Sequence, residues 1–483
     1  MSSRTLLRPR WVYLGSGRLR DDLDVLVEDG VIAGLPTKAE AATIDAEVVE
    51  LPDRLLLPGL MNLHTHAGAG PVGRAVGEDY ELPTGMPFYV PLSRLWRFAY
   101  QEEFREKFRS VMRWDVLSMM ATGTTTILNH ASTDIDGYLD IAADLGVRTW
   151  TGPTIPLDVT HRLGQLEGKD AHRPDLTSHD GQQAELRTME ALFEQHDRSN
   201  GDRIRILLGP AAVHTDDFSV LQAVAEMARR FDDCLVTTHL CQAPSELAET
   251  DRKYGKTPLR VLEDAGLLNE RLLGAHGTYL PDEDRQAAAD SGMTIVHCCS
   301  RKAKEALVSP YVSFQRSGIR VALGTDGFNP DMVEELKLAA MLGKVATGET
   351  HSPTAVEVVD AATSGAAASL GRSDLGVIAV GARADLIAIR SADSMMAPIF
   401  DPLQTLVYYG NGRDVDLVMI DGDITVRDGA FVGVDMVAAR QEAEATLVSI
   451  WESAIDAGLL AEVLPSTTRP ETTEPEKTEP AHA

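Results

Sequence analysis

Leu55-Leu-Leu-Pro-Gly-Leu-Met-Asn-Leu-His64-Thr-His66 is the stretch that decides the fold. An apolar run, broken by Pro58-Gly59, ends in two histidines one residue apart. Side chains alternate along an extended strand, so both imidazoles point to one side and can reach one metal ion at the strand's end. The pair alone is weak, since 13 histidines in 483 residues give about 0.35 such pairs by chance. Three further stretches strengthen it: Val236-Thr-Thr-His239, Leu273-Gly-Ala-His276 and Val321-Ala-Leu-Gly-Thr-Asp326. Each sets a metal-ligating residue directly after a short apolar or β-branched run.

Working outward, eight candidate strands follow one another: Leu60 to Leu63, Thr124 to Asn129, Val147 to Thr151, Ile204 to Leu208, Leu235 to Thr238, Arg271 to Ala275, Thr294 to Val296 and Arg320 to Leu323. Helical periodicity lies between several of them. One helix is expected over Val220 to Phe231, and another begins at Asn329-Pro330, where Asn can cap and Pro fits the first turn. Eight such units predict a (β/α)8 TIM barrel over residues 58–375. An open doubly wound sheet is the alternative. No Gly-x-Gly-x-x-Gly follows an early strand, and ligand candidates recur after many strands, which favours the barrel.

Residues 1–57 and 376–435 are rich in β-type runs and turns, with Asp421-Gly422 and Asp428-Gly429 as turn pairs. They predict one small composite β-sandwich domain built from both chain ends. Residues 436–463 read as a C-terminal helix, and residues 464–483, rich in Pro, Thr and Glu, as a disordered tail. Two long connections, 67–109 and 152–203, follow the first and third strands, where barrel loops shape a site.

The net charge of −28 repels phosphate, so neither nucleic acid nor an anionic membrane is an expected partner. Cys234, Cys241, Cys298 and Cys299 form no Cys-x-x-Cys pair, which fits a reducing compartment. The charged start has no apolar segment behind it, and no run nears the ~18 apolar residues of a membrane span. A cytoplasmic enzyme with a small-molecule substrate is expected, assembled as a homo-oligomer.

The ordered series of ligand candidates resembles the amidohydrolase superfamily, in particular its mononuclear-metal aminohydrolase and chlorohydrolase-like group. Leu57-Pro-Gly-Leu-Met-Asn-Leu-His-Thr-His66 is similar to that family's first strand, Leu323-Gly-Thr-Asp-Gly327 to its eighth, and Val380 to Ala388 to the return into its β-domain. The resemblance runs from about residue 10 to about residue 435. It implies that His64, His66, His239 and Asp326 hold one divalent metal ion per subunit. Zinc is expected first, with iron(II), manganese(II) or cobalt(II) as alternatives that ligand type does not separate. Bridged two-metal relatives carry a lysine or glutamate on strand 4, and Ile204 to Pro210 has neither. The resemblance further implies attack by a metal-bound hydroxide. His276 polarises the scissile group or stabilises negative charge, and Asp326 also passes the water's proton to the leaving nitrogen.

Two departures bear on the substrate. Deaminases of this family carry His-x-x-Glu after strand 5, whereas here the segment is His239-Leu-Cys-Gln242. Gln cannot act as a general acid or base, and Glu246 lies beyond Pro244. Deaminases also favour His-Cys-Pro followed by Ser-Asn after strand 7, whereas here His297-Cys-Cys-Ser-Arg-Lys-Ala-Lys304 stands. Both favour cleavage of a non-peptide C–N bond in a small urea, carbamate or amide, as in the phenylurea and thiocarbamate hydrolase branch. The alternative is an aminohydrolase of the deaminase or dechlorinase type, acting on a purine, pterin, pyrimidine or s-triazine ring. A non-enzymatic scaffold would have lost metal ligands, and all are kept.

Gln242, His130, Asn129, His214 and Trp96 are candidate substrate contacts. For Asn129 and His130 a hydrogen bond that positions a ligand is the competing role. For Trp96, and for the aromatics of Met86 to Pro91, it is loop anchoring or a subunit contact. Arg301, Lys302 and Lys304 read as a solvated charge cluster.

Overall fold

The computed structural model describes residues 4–74, 101–131, 134–155, 179–391 and 395–459, with positions 92, 95, 96 and 99. The stretch Met86 to Pro91 and the tail 464–483 lie outside them.

Both chain ends enter one sheet. Arg4–Tyr13, Leu19–Arg20, Val25–Glu28, Val31–Gly34 and Glu47–Pro58 come from the first, and Leu386–Arg390, Val415–Ile420, Asp423–Arg427 and Ala430–Phe431 from the second. They meet where Leu386–Arg390 pairs antiparallel with Glu47–Pro58, Leu386 opposite Pro58 and Arg390 opposite Arg54. Leu7, Val12, Val25, Leu56, Leu386 and Leu417 give this domain its own core. Its turns Asp421-Gly422 and Asp428-Gly429 have all four residues at positive φ, the geometry that suits a tight hairpin.

Pro58-Gly59 passes the chain directly from this sheet into the barrel. Its strands are Leu60–Thr65, Thr124–Ala131, Arg148–Ile155, Ile204–Ile206 with Gly209–Pro210, Val236–Leu240, Leu272–His276, Thr294–His297 and Arg320–Leu323. All neighbours are parallel, in two ribbons. The ribbons meet at a parallel bridge between Leu208 and Val236. At the other seam the amides of Thr325 and Asp326 donate to the His64 carbonyl at 3.0 and 2.9 Å. The result is the expected (β/α)8 barrel. Every strand, or the residue flanking it, sends an apolar side chain into one inner cluster: Met61, Leu63, Leu128, Trp150, Leu207, Leu235, Leu273, Val296 and Ala322. With period two, Leu128 precedes His130, and Ala322 precedes Asp326 by two such steps, so this plug is the floor beneath the polar residues.

Two expected elements shift. The helix foreseen over Val220 to Phe231 spans Phe218–Arg230. The helix foreseen from Asn329-Pro330 starts at Met332, capped by Asp331, whose carboxylate accepts from Val333 and Glu334. Asn329 instead accepts the Asp331 amide at 3.0 Å, which sets up that cap from outside the helix. The C-terminal helix, Met436–Asp456, packs on Glu102–Ala121, and its Trp451 indole donates to the Val72 carbonyl beside the first-strand loop. Among the described residues no helix is long and apolar enough to cross a membrane, and all four cysteines are buried and unpaired.

Candidate metal centre

Strand ends bring the polar residues together. His64 and His66 close the first strand, His239 sits in the fifth, His276 ends the sixth and Asp326 follows the eighth. His276 and Asp326 have φ of 78° and 55°, in the left-handed region that non-glycine residues enter at a cost. The local backbone is bent to aim these two side chains inward. Gly324 allows the closure, because a Cβ there would lie 2.8 Å from the His64 amide nitrogen.

One donor atom each from His64, His239, His276 and Asp326 lies within 4.8 Å of the others. His66 joins them, with Nε2 3.2 Å from His239 Nε2 and 3.5 Å from Asp326 Oδ1. His64 Nε2 is 3.3 Å from the same Oδ1, and His276 Nε2 is 3.9 Å from Oδ2.

The hydrogen bonds indicate what the cluster is for. His66 Nδ1 contacts the His130 carbonyl and His239 Nδ1 the Ala211 carbonyl, both at 2.7 Å. A carbonyl only accepts, so each Nδ1 carries a proton, and in the neutral ring that binds a metal each Nε2 keeps a bare lone pair. Those two lone pairs face each other, an arrangement that repels unless a cation lies between them. Both ring nitrogens of His64 and of His276 are buried with no hydrogen-bond partner. Two rings with both nitrogens buried and without a hydrogen bond, beside an aspartate and the facing His66 and His239, fit a divalent ion.

Charge supports this fit. Burial alone would raise the Asp326 carboxyl, but the neighbouring His276 and His64 outweigh it and hold the group well below the usual range. Burial keeps His64, His130 and His276 neutral and lowers His239 to about 3. Neutral imidazoles and an ionised carboxylate are the forms that bind metal.

The other candidates divide. His130 stacks near His239, ring centroids 5.2 Å apart, while its Nε2 donates to the Gly209 carbonyl at 3.1 Å. Position 209 must be glycine, since a Cβ would meet that ring at 2.9 Å. Asn129 uses both ends of its amide on the scaffold, accepting from Ala67 and donating to Thr151 Oγ1. That places it in the competing role, holding the loop after His66. Trp96 lies 6.3 Å from the His66 ring by centroids, its indole nitrogen buried without a hydrogen-bond partner among the described residues. His214 stands farther along the loop after strand 4, near Glu249. Gln242 is half-buried. Its main-chain amide donates to Glu246 Oε2 at 2.7 Å, and its main-chain carbonyl accepts from Lys302 Nζ at 3.1 Å.

Glu246 is no substitute for a proton-shuttling glutamate. Its other oxygen accepts from the Cys241 amide at 2.9 Å, so the whole carboxylate clamps the loop after His239. The charge cluster departs most from expectation. Arg301 and Lys302 are each 1% exposed, and only Lys304 is solvated. Arg301 Nε lies 3.2 Å from Asp326 Oδ2, and Lys302 Nζ is 2.9 Å from Glu305.

Sequence reading missed several supports. Asn62 accepts the Thr325 amide at 3.1 Å and donates to Thr325 Oγ1 at 2.8 Å, tying strand 1 to strand 8. Glu335 accepts from the Cys299 and Ser300 amides and from the Ser300 hydroxyl; Asp115 accepts from Gly68. Burial pushes Glu246, Glu335 and Asp115 each up to about 7. Glu335 did leave a trace in the sequence: it stands among Met332, Leu336 and Ala339 on the buried stripe of its helix, where a carboxylate is out of place.

Comparison with known proteins agrees with this geometry. The amidohydrolase family model matches residues 55–425. A 5-methylthioadenosine/S-adenosylhomocysteine deaminase from Pyrococcus abyssi is 29% identical over 445 residues, covering 90% of this chain and 96% of that one. An adenosine deaminase from Xanthomonas campestris with bound zinc superposes with a TM-score of 0.81 at 25% identity, over 93% of this chain and 99% of that one. An atrazine chlorohydrolase from Arthrobacter aurescens, complexed with zinc, gives 0.79 at 25% identity, over 92% and 100%. The chain belongs to the amidohydrolase family and is a hydrolase of carbon–nitrogen bonds other than peptide bonds.

Proposed function

We propose that this enzyme removes an exocyclic amino group from a heteroaromatic ring of the purine type by hydrolysis, using one zinc ion. One observation carries the reading. The facing lone pairs of His66 and His239, beside an ionised Asp326, occur in a chain that aligns over nine-tenths of its length with a deaminase of adenosine-type substrates. The expected urea or carbamate gives way here, because the relatives' names carry ring substrates.

His64, His66, His239 and Asp326 would hold the ion, which acidifies a water near neutral pH and polarises the substrate. Asp326 takes the proton from the attacking water and delivers it to the leaving nitrogen. His276, neutral and beside Asp326 Oδ2, donates a hydrogen bond to the ring atom that gains negative charge. Gln242 has no proton to give and holds the ring by a fixed hydrogen bond.

Gln242 favours one second reading. A substituent that leaves as an anion, such as chloride from a triazine, needs no proton on departure. Zinc-loaded protein, given 5′-substituted adenosines, aminotriazines, chlorotriazines and N-aryl ureas in parallel, separates the readings. Ammonia from the adenosines is the expected result. Chloride release alone promotes the second reading, and amine from the ureas without ring turnover sinks both.

A further inference from the structure

Asp326 presents its two oxygens to different neighbours. Oδ1 faces the first-strand histidines, 3.3 Å from His64 Nε2 and 3.5 Å from His66 Nε2. Oδ2 faces away from them, 3.2 Å from Arg301 Nε and 3.9 Å from His276 Nε2. The guanidinium is itself fixed. Its Nη1 pairs with Glu305 Oε1 at 2.6 Å, and its plane lies over the Phe328 ring, 5.1 Å from the centroid. Glu305 also binds Lys302, whose Nζ reaches the Gln242 carbonyl. A line of alternating charge thus runs from the strand-5 loop through Lys302, Glu305 and Arg301 to Asp326. Two cations meet two carboxylates, so the line is balanced without a bound anion. The backbone before Arg301 is held as well, by Glu335 on the amides of Cys299 and Ser300.

We propose that Arg301 is a positioning residue that claims Oδ2 of Asp326 and leaves Oδ1 alone to the metal. A carboxylate can bind a cation through one oxygen or two, and a guanidinium on one of them decides which. Two effects follow. The position that a second oxygen would fill stays open for water and substrate. The guanidinium also competes with the ion for the carboxylate's charge, so the ion is held less tightly than the donor set alone would hold it. Arg301 here does the opposite of a carboxylate behind a ligating histidine, which strengthens its ligand.

The inference rests on the metal reading, and its test uses Co2+ alone as the probe, with no substrate. Full-length protein is loaded with Co2+, its visible spectrum recorded, and the ion withdrawn by excess dipicolinate. Arg301→Met is expected to weaken the visible bands, as coordination number rises, and to slow withdrawal by about tenfold, the effect of removing one nearby charge. Arg301→Lys keeps a cation at Oδ2 and is expected to retain the wild-type spectrum. Glu305→Gln frees the guanidinium to press harder on Asp326 and should speed withdrawal; Arg301→Lys, expected to lose Co2+ at the wild-type rate, keeps the proposal testable if Arg301→Met does not fold. A structural prop would give faster loss in every variant. Faster loss from Arg301→Met, an unchanged spectrum, or slowed loss from Glu305→Gln overturns the inference and leaves the metal reading intact. Wild-type protein that takes up no Co2+ overturns both.

Discussion

The barrel carries two buried charge clusters, one at each end. At the amino end Arg148, 0% exposed, opens strand 3 and spends its guanidinium fully. It donates to both oxygens of Asp385 at 2.7 and 3.1 Å, to Asp421 at 3.0 Å and to the Asp202 carbonyl at 3.1 Å, and the Asp421 amide caps Asp385. At the carboxyl end His64 and His276 leave every ring nitrogen without a hydrogen bond, and the Nε2 atoms of His66 and His239 face each other. The first is closed and joins the barrel to the terminal sheet; the second is left open for something absent from the sequence. Completeness of hydrogen bonding, not burial or charge, separates a structural cluster from a site.

The largest effects should fall at the open end. His239→Ala or Asp326→Ala is expected to lose stoichiometric zinc and roughly three orders of magnitude of turnover or more, since a Lewis acid contributes several kcal/mol. Elemental analysis beside an ammonia assay checks this; either variant with full metal and full activity removes that residue from the ligand set. At the closed end the same kind of deletion should act on folding instead. Arg148→Met leaves the buried Asp385 carboxylate without its cation, while Asp421 keeps Arg383, and is expected to cost about 3–5 kcal/mol in urea unfolding, with zinc per folded chain unchanged. A loss under about 1 kcal/mol would show the two ends to be less different than drawn.

His276→Asn sharpens the comparison within the site. It should keep zinc while turnover falls about 10²–10³-fold, the cost of one charge-stabilising donor. Zinc lost with it would make His276 a ligand. The smallest effect is on pH. His64, His130, His239, His276 and His297 are held neutral by burial, so each contributes stability that is present above the unfolded imidazole value and lost on acidification. Asp115, Glu246 and Glu335, raised to about 7, act the other way: their contribution is present at low pH and lost as pH rises towards 7. The imidazoles are the groups whose unfolded forms titrate within this window, so metal-free protein should lose stability as pH falls from about 6.5 to about 5. A melting temperature that rises over that window contradicts the balance.

What the sequence shows depends on how local the cause is. The barrel strands and His64, His66, His239 and Asp326 are legible because each motif carries its strand and its ligand together. Gln242 was legible as a departure for the same reason. Arg301 and Lys302 were misread as solvated because their partners, Asp326, Glu305 and the Gln242 carbonyl, are assembled partly from other loops. Asn62 looked like a strand residue; its role exists only once strand 8 lies alongside. The start at Met332 rather than Asn329-Pro330 turned on which of two capping side chains reached the amides first.

Glu246 and Glu335 grip their loops by main-chain amides, which every amino acid except proline supplies. Glu335 also takes the Ser300 hydroxyl, but Glu246 uses main-chain amides alone, so the shape of its loop is largely independent of the side chain at 242. A mutation there can alter what the enzyme recognises without collapsing the frame that recognises it. Such a loop can carry glutamine where a relative carries glutamate, so the chemistry can drift while the architecture stands still.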